Sequence, residues 1–243
     1  MHVISVIWAR VSQVADPLPT AWLLLALGIG AALVVLPGTW HTVRHAVTVV
    51  HEGGHGLAAV VSGRRLSGIR LHSDTSGLTV SQGPTHGFGM VLTLLSGYTA
   101  PALAALGAAW MLSQGYAAGL LWLLLLVLAL MLVQIRNWFG LWVILVGAAV
   151  VFSITWFATP FFQHVFGVVV MTVLAIGALR ASLELETSRR RARNGQSDAD
   201  QLARLTHIPG LFWVFVFVLV ALVCAVVDAW MLVPAGVLTT TGV

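Results

Sequence analysis

Long uninterrupted apolar runs constrain this chain more than any other feature of its sequence. "AWLLLALGIGAALVVL" (21–36) and "GLLWLLLLVLALMLV" (119–133) approach the roughly 20 helical residues, at about 1.5 Å each, that cross a bilayer core. Of 243 residues, 59% are hydrophobic and 8% carry a formal charge. A soluble surface alone asks for about a quarter charged residues. The chain reads as an all-α polytopic membrane protein. Seven spans are expected, at roughly 18–36, 42–62, 88–111, 117–135, 139–157, 165–183 and 210–231.

The twelve basic residues, all arginine, sort by loop. Arg10 precedes the first span, Arg64, Arg65 and Arg70 follow the second, and Arg136 follows the fourth. Arg180, Arg189, Arg190, Arg191, Arg193 and Arg204 lie near or between the last two. Connections 37–41, 112–116 and 158–164 hold none. The positive-inside rule then predicts a cytoplasmic N-terminus and an extracytoplasmic C-terminus, as suits an integral protein of a bacterial cytoplasmic membrane. Only Arg44 departs from the pattern. Half of the arginines sit in one juxtamembrane stretch, where such clusters fix topology or meet anionic lipid, so nucleic-acid binding is not expected. Val3, Ile4, Ile7, Trp8, Val11 and Val14 share one helical face, which predicts a surface helix within 1–16 lying on the inner leaflet. The expected organisation is that helix, one transmembrane domain over 17–231 with a polar cytoplasmic loop at 184–207, and an extracytoplasmic tail at 232–243. Cys224 stands alone, so there is no disulfide framework.

One predicted span breaks the apolar rule. "VVHEGGHGLAAVV" (49–61) carries His51, Glu52 and His55. Residues four apart on a helix lie one above the other, so the imidazoles share a face, with Glu52 projecting beside them. This spacing can hold one zinc ion and leave the glutamate next to a zinc-bound water. Ionisable groups inside a span are costly and mark function. With only three glutamates in the chain, H-E-x-x-H by chance is rare. Counted back from Arg64 at the membrane boundary, the pair lies roughly 13–20 Å deep, on the cytoplasmic side. His41, Arg44, His45 and Thr48 continue the same stripe but lie too far from His51 to join it as ligands.

From here the sequence resembles a family. "HEGGHGLAAVVSGRRLSGIRLHSDTSGLT", then "LSGYTAPAL", "RNWFG" and "SDADQLARLTHIPGLFW", is similar to the site-2 proteases, in a compact bacterial branch without a regulatory domain. These are intramembrane zinc metallopeptidases that cleave membrane-embedded proteins. The resemblance implies a third ligand, an aspartate from a later element. In many members it precedes glycine, and no Asp-Gly occurs here. The compact branch's Ser-Asp-Ala matches Ser197, Asp198 and Ala199, which makes Asp198 the expected ligand. Asp200 is the alternative, and two residues along a helix it would point well away. Asp198 also reads as the cap of a short helix.

Residues 66–82 alternate apolar and polar around the turn sequence "SDTSG" and read as a β-hairpin or a plain cytoplasmic loop. By resemblance the hairpin is re-entrant and offers an edge strand to an unwound substrate. The small residues of "SGYTAPALAALGAAW" suit close helix packing. Asn137 reads as a helix cap or an oxyanion donor, and Asp228 as a residue reaching interfacial water.

The resemblance and the motif together imply a zinc endopeptidase with one Zn2+ per chain. His51, His55 and Asp198 would be its ligands, Glu52 its general base, and a membrane protein its substrate. A non-catalytic scaffold of the same fold and a zinc transporter are the alternatives. Spans four to seven hold few polar groups for a transport route.

Overall fold

The structure is a computed structural model and describes residues 2–192 and 195–232. The expected tail at 232–243 lies, beyond Leu232, outside the described residues. The elements in chain order are α1 (His2–Val11), α2 (Thr20–Val35), α3 (Pro37–Val61), β1 (Arg65–Leu71), β2 (Gly77–Gln82), α4 (Phe88–Ser113), α5 (Ala117–Gln134), α6 (Trp138–Phe157), α7 (Pro160–Ala192), α8 (Asp198–Thr206) and α9 (Gly210–Leu232). Helices form a membrane bundle, and the two strands form a small antiparallel sheet.

The expected count of seven spans is not what the helices provide. Among the described residues, five are long and apolar enough to cross a membrane: α4, α5, α6, α7 and α9. The count reaches six if α2 and α3 form one broken span, since they meet at 99°. Leu36 between them is extended, and Pro37, which lacks an N–H, opens α3. The sixteen residues of α2 cover only about 24 Å, and α3 is diluted by its histidines, Arg44 and Glu52. The carbonyls of Val34 and Val35, left without helical donors at the bend, accept from the Arg180 guanidinium of α7. Arg180 also stacks on Trp40, 4.8 Å from its ring centroid, and pairs with Glu184, which in turn holds Arg44 at 2.8 Å.

Helix packing also corrects the expected sidedness. α2 runs parallel to α7: Trp22 meets Phe161, Gly30 packs on Thr172, and Val34 meets Arg180. The chain ahead of α2 is tied to the α4–α5 connection by Ala15 N–H donating to Gly115 O at 2.9 Å. Arg10 lies over the Trp156 ring at the end of α6. Leu18 and Leu232 belong to one apolar cluster. Both ends of the described chain therefore sit at the end of the bundle that carries connections 112–116 and 158–164. Among the described residues, the start of α2 and the end of α9 lie at one end of the bundle and not at opposite ends. If α2 and α3 form one broken span, one bent traverse replaces two straight ones and the parity changes.

α3 packs most extensively on α4. Gly54 lets the backbones touch, since a Cβ there would meet the Ala100 Cβ at 2.5 Å and the Ser96 carbonyl at 2.7 Å. The hairpin folds back along α3, with a bulge between Leu66 and Gly68. Its turn is closed by the Asp74 carboxylate, which accepts from the Ser76 hydroxyl at 2.6 Å and the Ser76 N–H at 3.0 Å. Those bonds, the hydroxyl's first, hold the Asp74 carboxyl below its ordinary range. Thr75 is left-handed (φ 69°), and its carbonyl accepts from Thr48 of α3 at 2.8 Å. The far edge of β1 is covered by the α5–α6 connection, where Arg136 N–H donates to Ile69 O at 2.9 Å. Asn137 closes that edge with its amide, donating to Leu71 O at 2.6 Å and accepting from Leu71 N–H at 3.2 Å. Asn137 stands at the N-cap position of α6, as one expected role has it, but its side chain makes no cap bond there.

Asp228 does not reach interfacial water. It is 3% exposed, and among the described residues neither carboxyl oxygen has a hydrogen-bond partner. It borders a largely apolar cavity of about 680 Å³ between α2, α7 and α9.

Candidate metal centre

His51 and His55 project from one face of α3 towards α4. Room for them exists because α4 presents Gly97: a Cβ there would collide with the His55 ring and stand 2.8 Å from His51 Cε1. The His55 Nδ1–H donates to the Thr93 carbonyl at 2.7 Å. A carbonyl only accepts, so this bond fixes the tautomer and leaves Nε2 bare and aimed inward. The His51 ring stands edge-on to Tyr98, centroids 4.7 Å apart, and Tyr98 stacks on Phe217 of α9.

The third donor arrives from α8. Ser197 caps this helix, its hydroxyl oxygen accepting from Asp200 N–H, so the capping role falls to Ser197 and the Asp198 carboxylate is free to enter the bundle. Asp198 Oδ2 lies 3.4 Å from His51 Nε2 and 3.3 Å from His55 Nε2, and the two nitrogens are 3.1 Å apart. This triangle tests the fit to a metal. Ligand bonds of about 2.0–2.1 Å in a tetrahedron place donor atoms roughly 3.3 Å apart. The three edges agree, so these donors can hold a zinc-sized ion and leave one vertex open. Among the described residues this is the one such group. Asp200, the alternative ligand, points the other way, into an ion pair with Arg189 at 2.6 Å. Burial opposes ionisation of Asp200, but Arg189 and the Ser197 hydroxyl together hold its carboxyl below the ordinary range.

Glu52 is 4% exposed. Its carboxylate accepts from the Thr79 hydroxyl of β2 at 2.6 Å, and the same hydroxyl lies 3.0 Å from the Glu52 carbonyl. Gly77 packs directly on this side chain; a Cβ there would stand 2.5 Å from Glu52 Cγ and Oε1. The hairpin thus forms one wall of the site. Its outer edge, on β2, pairs with no other strand among the described residues, and Leu78 and Val80 are exposed along it. His41 and His45 meet edge-to-face and lie outside the donor triangle.

Reasoning from sequence missed Thr79, Gly97, Thr93 and Arg189. Gly97 stood within the small-residue run of α4, Thr79 within the expected hairpin and Arg189 within the arginine cluster, but none was singled out. They gain meaning through contacts between elements distant in sequence.

A family model described as Peptidase M50B-like matches residues 24–228. No curated protein and no solved structure matches the chain.

Proposed function

The chain belongs to the Peptidase M50B-like family, among the site-2 proteases, and from that premise we propose that it is an intramembrane zinc metalloprotease. The reading assigns His51, His55 and Asp198 as ligands of one Zn2+ and Glu52 as the catalytic base. The observation that carries it is the donor triangle with edges of 3.1, 3.3 and 3.4 Å.

Bound zinc would supply Lewis acidity and a water with a pKa near about 7. The chain's own groups do the rest. Glu52 takes the proton of the attacking water and later delivers one to the leaving amine. Thr79 holds the carboxylate in one rotamer, and Gly77 leaves it room. Thr93 orients His55 through the ring nitrogen that faces away from the donor triangle.

The substrate we propose is a transmembrane segment of another protein, unwound locally because helical carbonyls are shielded. The free edge of β2 supports this: an extended peptide could pair with it and present its carbonyl beside Glu52. A non-catalytic scaffold gives no reason for a buried carboxylate held in place by a hydroxyl. We also assign the end of the bundle bearing Arg64, Arg65, Arg136, Arg189, Arg190 and Arg204 to the cytoplasm, with both ends of the described chain on the opposite face of a bacterial cytoplasmic membrane.

The test is Glu52→Gln in purified protein with a membrane-segment substrate. Metal content should stay near one zinc per chain while cleavage falls by about a hundredfold or more, the usual weight of a general base. Undiminished cleavage would remove Glu52 from the chemistry.

A further inference from the structure

Building on the metal-site reading above, we propose that Arg189 is a positioning residue: its ion pair with Asp200 fastens α8 so that Asp198 meets the two histidines.

α8 has nine residues, well below the length at which an isolated helix is stable in water. Its place therefore depends on docking. The apolar part of the dock is small. Ala199 and Leu202 are buried, packing with Leu94, Leu185, Val214 and Phe217, and Leu205 adds a partly buried contact. Those contacts exclude water but do little to fix rotation of a short helix about its own axis, and rotation decides where Asp198 points.

The polar part fixes it. Arg189 Nη2 and Nε both donate to Asp200 Oδ1, at 2.6 and 3.0 Å, and the Ser197 hydroxyl donates to Oδ2 at 2.6 Å. Both oxygens are engaged. The third arm of the guanidinium, Nη1, donates to Glu186 Oε2 at 2.7 Å, which anchors Arg189 to its own helix. The Arg189 and Asp200 side chains are 16% and 20% exposed, so solvent screens the pair less than a fully exposed bridge. Two residues along a helix correspond to about 200° of rotation. While Asp200 is pulled towards α7, Asp198 must face the opposite side, where the imidazoles stand. Gly210 completes the seat: it packs against the Arg189 guanidinium, and any side chain there would displace it. The neighbouring Arg190 is a natural control, being 75% exposed and bonded, among the described residues, to Glu186.

The experiment uses full-length protein carrying Cys224→Ser and Leu202→Cys and reads two quantities. One is zinc affinity by chelator competition, and the other is the rate at which a maleimide labels the thiol introduced by L202C. Arg189→Ala should weaken zinc binding by about ten- to a hundredfold, as loss of groups that orient metal ligands does, and should speed labelling. Arg189→Lys, which keeps the charge but not the fork, should fall between. The exchange R189D with D200R should restore both readouts, and Arg190→Ala should change neither. Wild-type zinc affinity and labelling in Arg189→Ala, or an exchange that restores nothing, would overturn the proposal. Absence of zinc from the protein without these label-site changes would instead contradict the metal assignment, and labelling would still decide whether Arg189 fastens α8.

Discussion

The Thr79 hydroxyl donates to the Glu52 carboxylate at 2.6 Å, joining the second strand of the hairpin to the middle of α3. A hydrogen bond to a charged group contributes about 1.5–3 kcal/mol, or roughly a tenfold change in rate or more. Thr79→Val, which keeps the shape, should therefore lower kcat at least about tenfold with KM little changed, and Thr79→Ser should retain most activity. A Thr79→Val enzyme turning over at the parent rate would show that the bond does not hold the base.

Gly97 is the gap in α4 that admits both imidazoles. Gly97→Ala adds one methyl where the His55 ring already sits, so the ring must turn and lose its bond to Thr93. Zinc affinity should fall by at least about tenfold, in the range seen when ligand orientation is disturbed, while helix content by circular dichroism stays the same. Unchanged zinc affinity in that variant would contradict the placement of the rings.

The bent pair of α2 and α3 changes the topology the arginines alone suggest. Single cysteines at Ser12, Ser113 and Ser188, each with Cys224→Ser, sample both ends of the bundle. In intact cells an impermeant maleimide should label the Ser12 and Ser113 variants and spare the Ser188 variant. Labelling that groups Ser12 with Ser188 would restore an odd number of traverses.

Asp228 is buried with neither oxygen partnered among the described residues. A polar group in that state costs on the order of 1–3 kcal/mol. Replacing it by a residue that fits the apolar cavity should recover part of this, so Asp228→Leu should raise the thermal midpoint by several degrees. A lowered midpoint would indicate that the carboxyl is partnered in the membrane.

What was legible in the sequence follows the range of the interactions. The His51–Glu52–His55 cluster is a four-residue pattern on one helix, and its meaning needs only helical periodicity and the cost of burying charge. Asp198 is different: no periodicity relates it to α3, and only the resemblance to a family pointed to it. Its partner in position, Arg189, left no signal at all, since an arginine in a basic run reads first as a topology marker. Thr79 looked like any polar residue alternating along a strand until the hairpin folded onto Glu52. The span count failed because α2 and α3 each look nearly long enough alone, while the bend at Leu36 depends on Arg180, far along the chain, capping the freed carbonyls. Asp228 lies near the end of its helix, and the covering helices α2 and α7 are what keep it from water.

The central claim is that one zinc ion is held by His51, His55 and Asp198. The direct measurement is X-ray absorption at the zinc edge on purified protein, beside the Asp198→Ala variant. The parent should hold one zinc per chain in a first shell of nitrogen and oxygen at about 2.0–2.1 Å, and Asp198→Ala should lose an oxygen scatterer or the metal itself. A protein that stays metal-free after reconstitution, or a zinc shell identical in the two proteins, would contradict it.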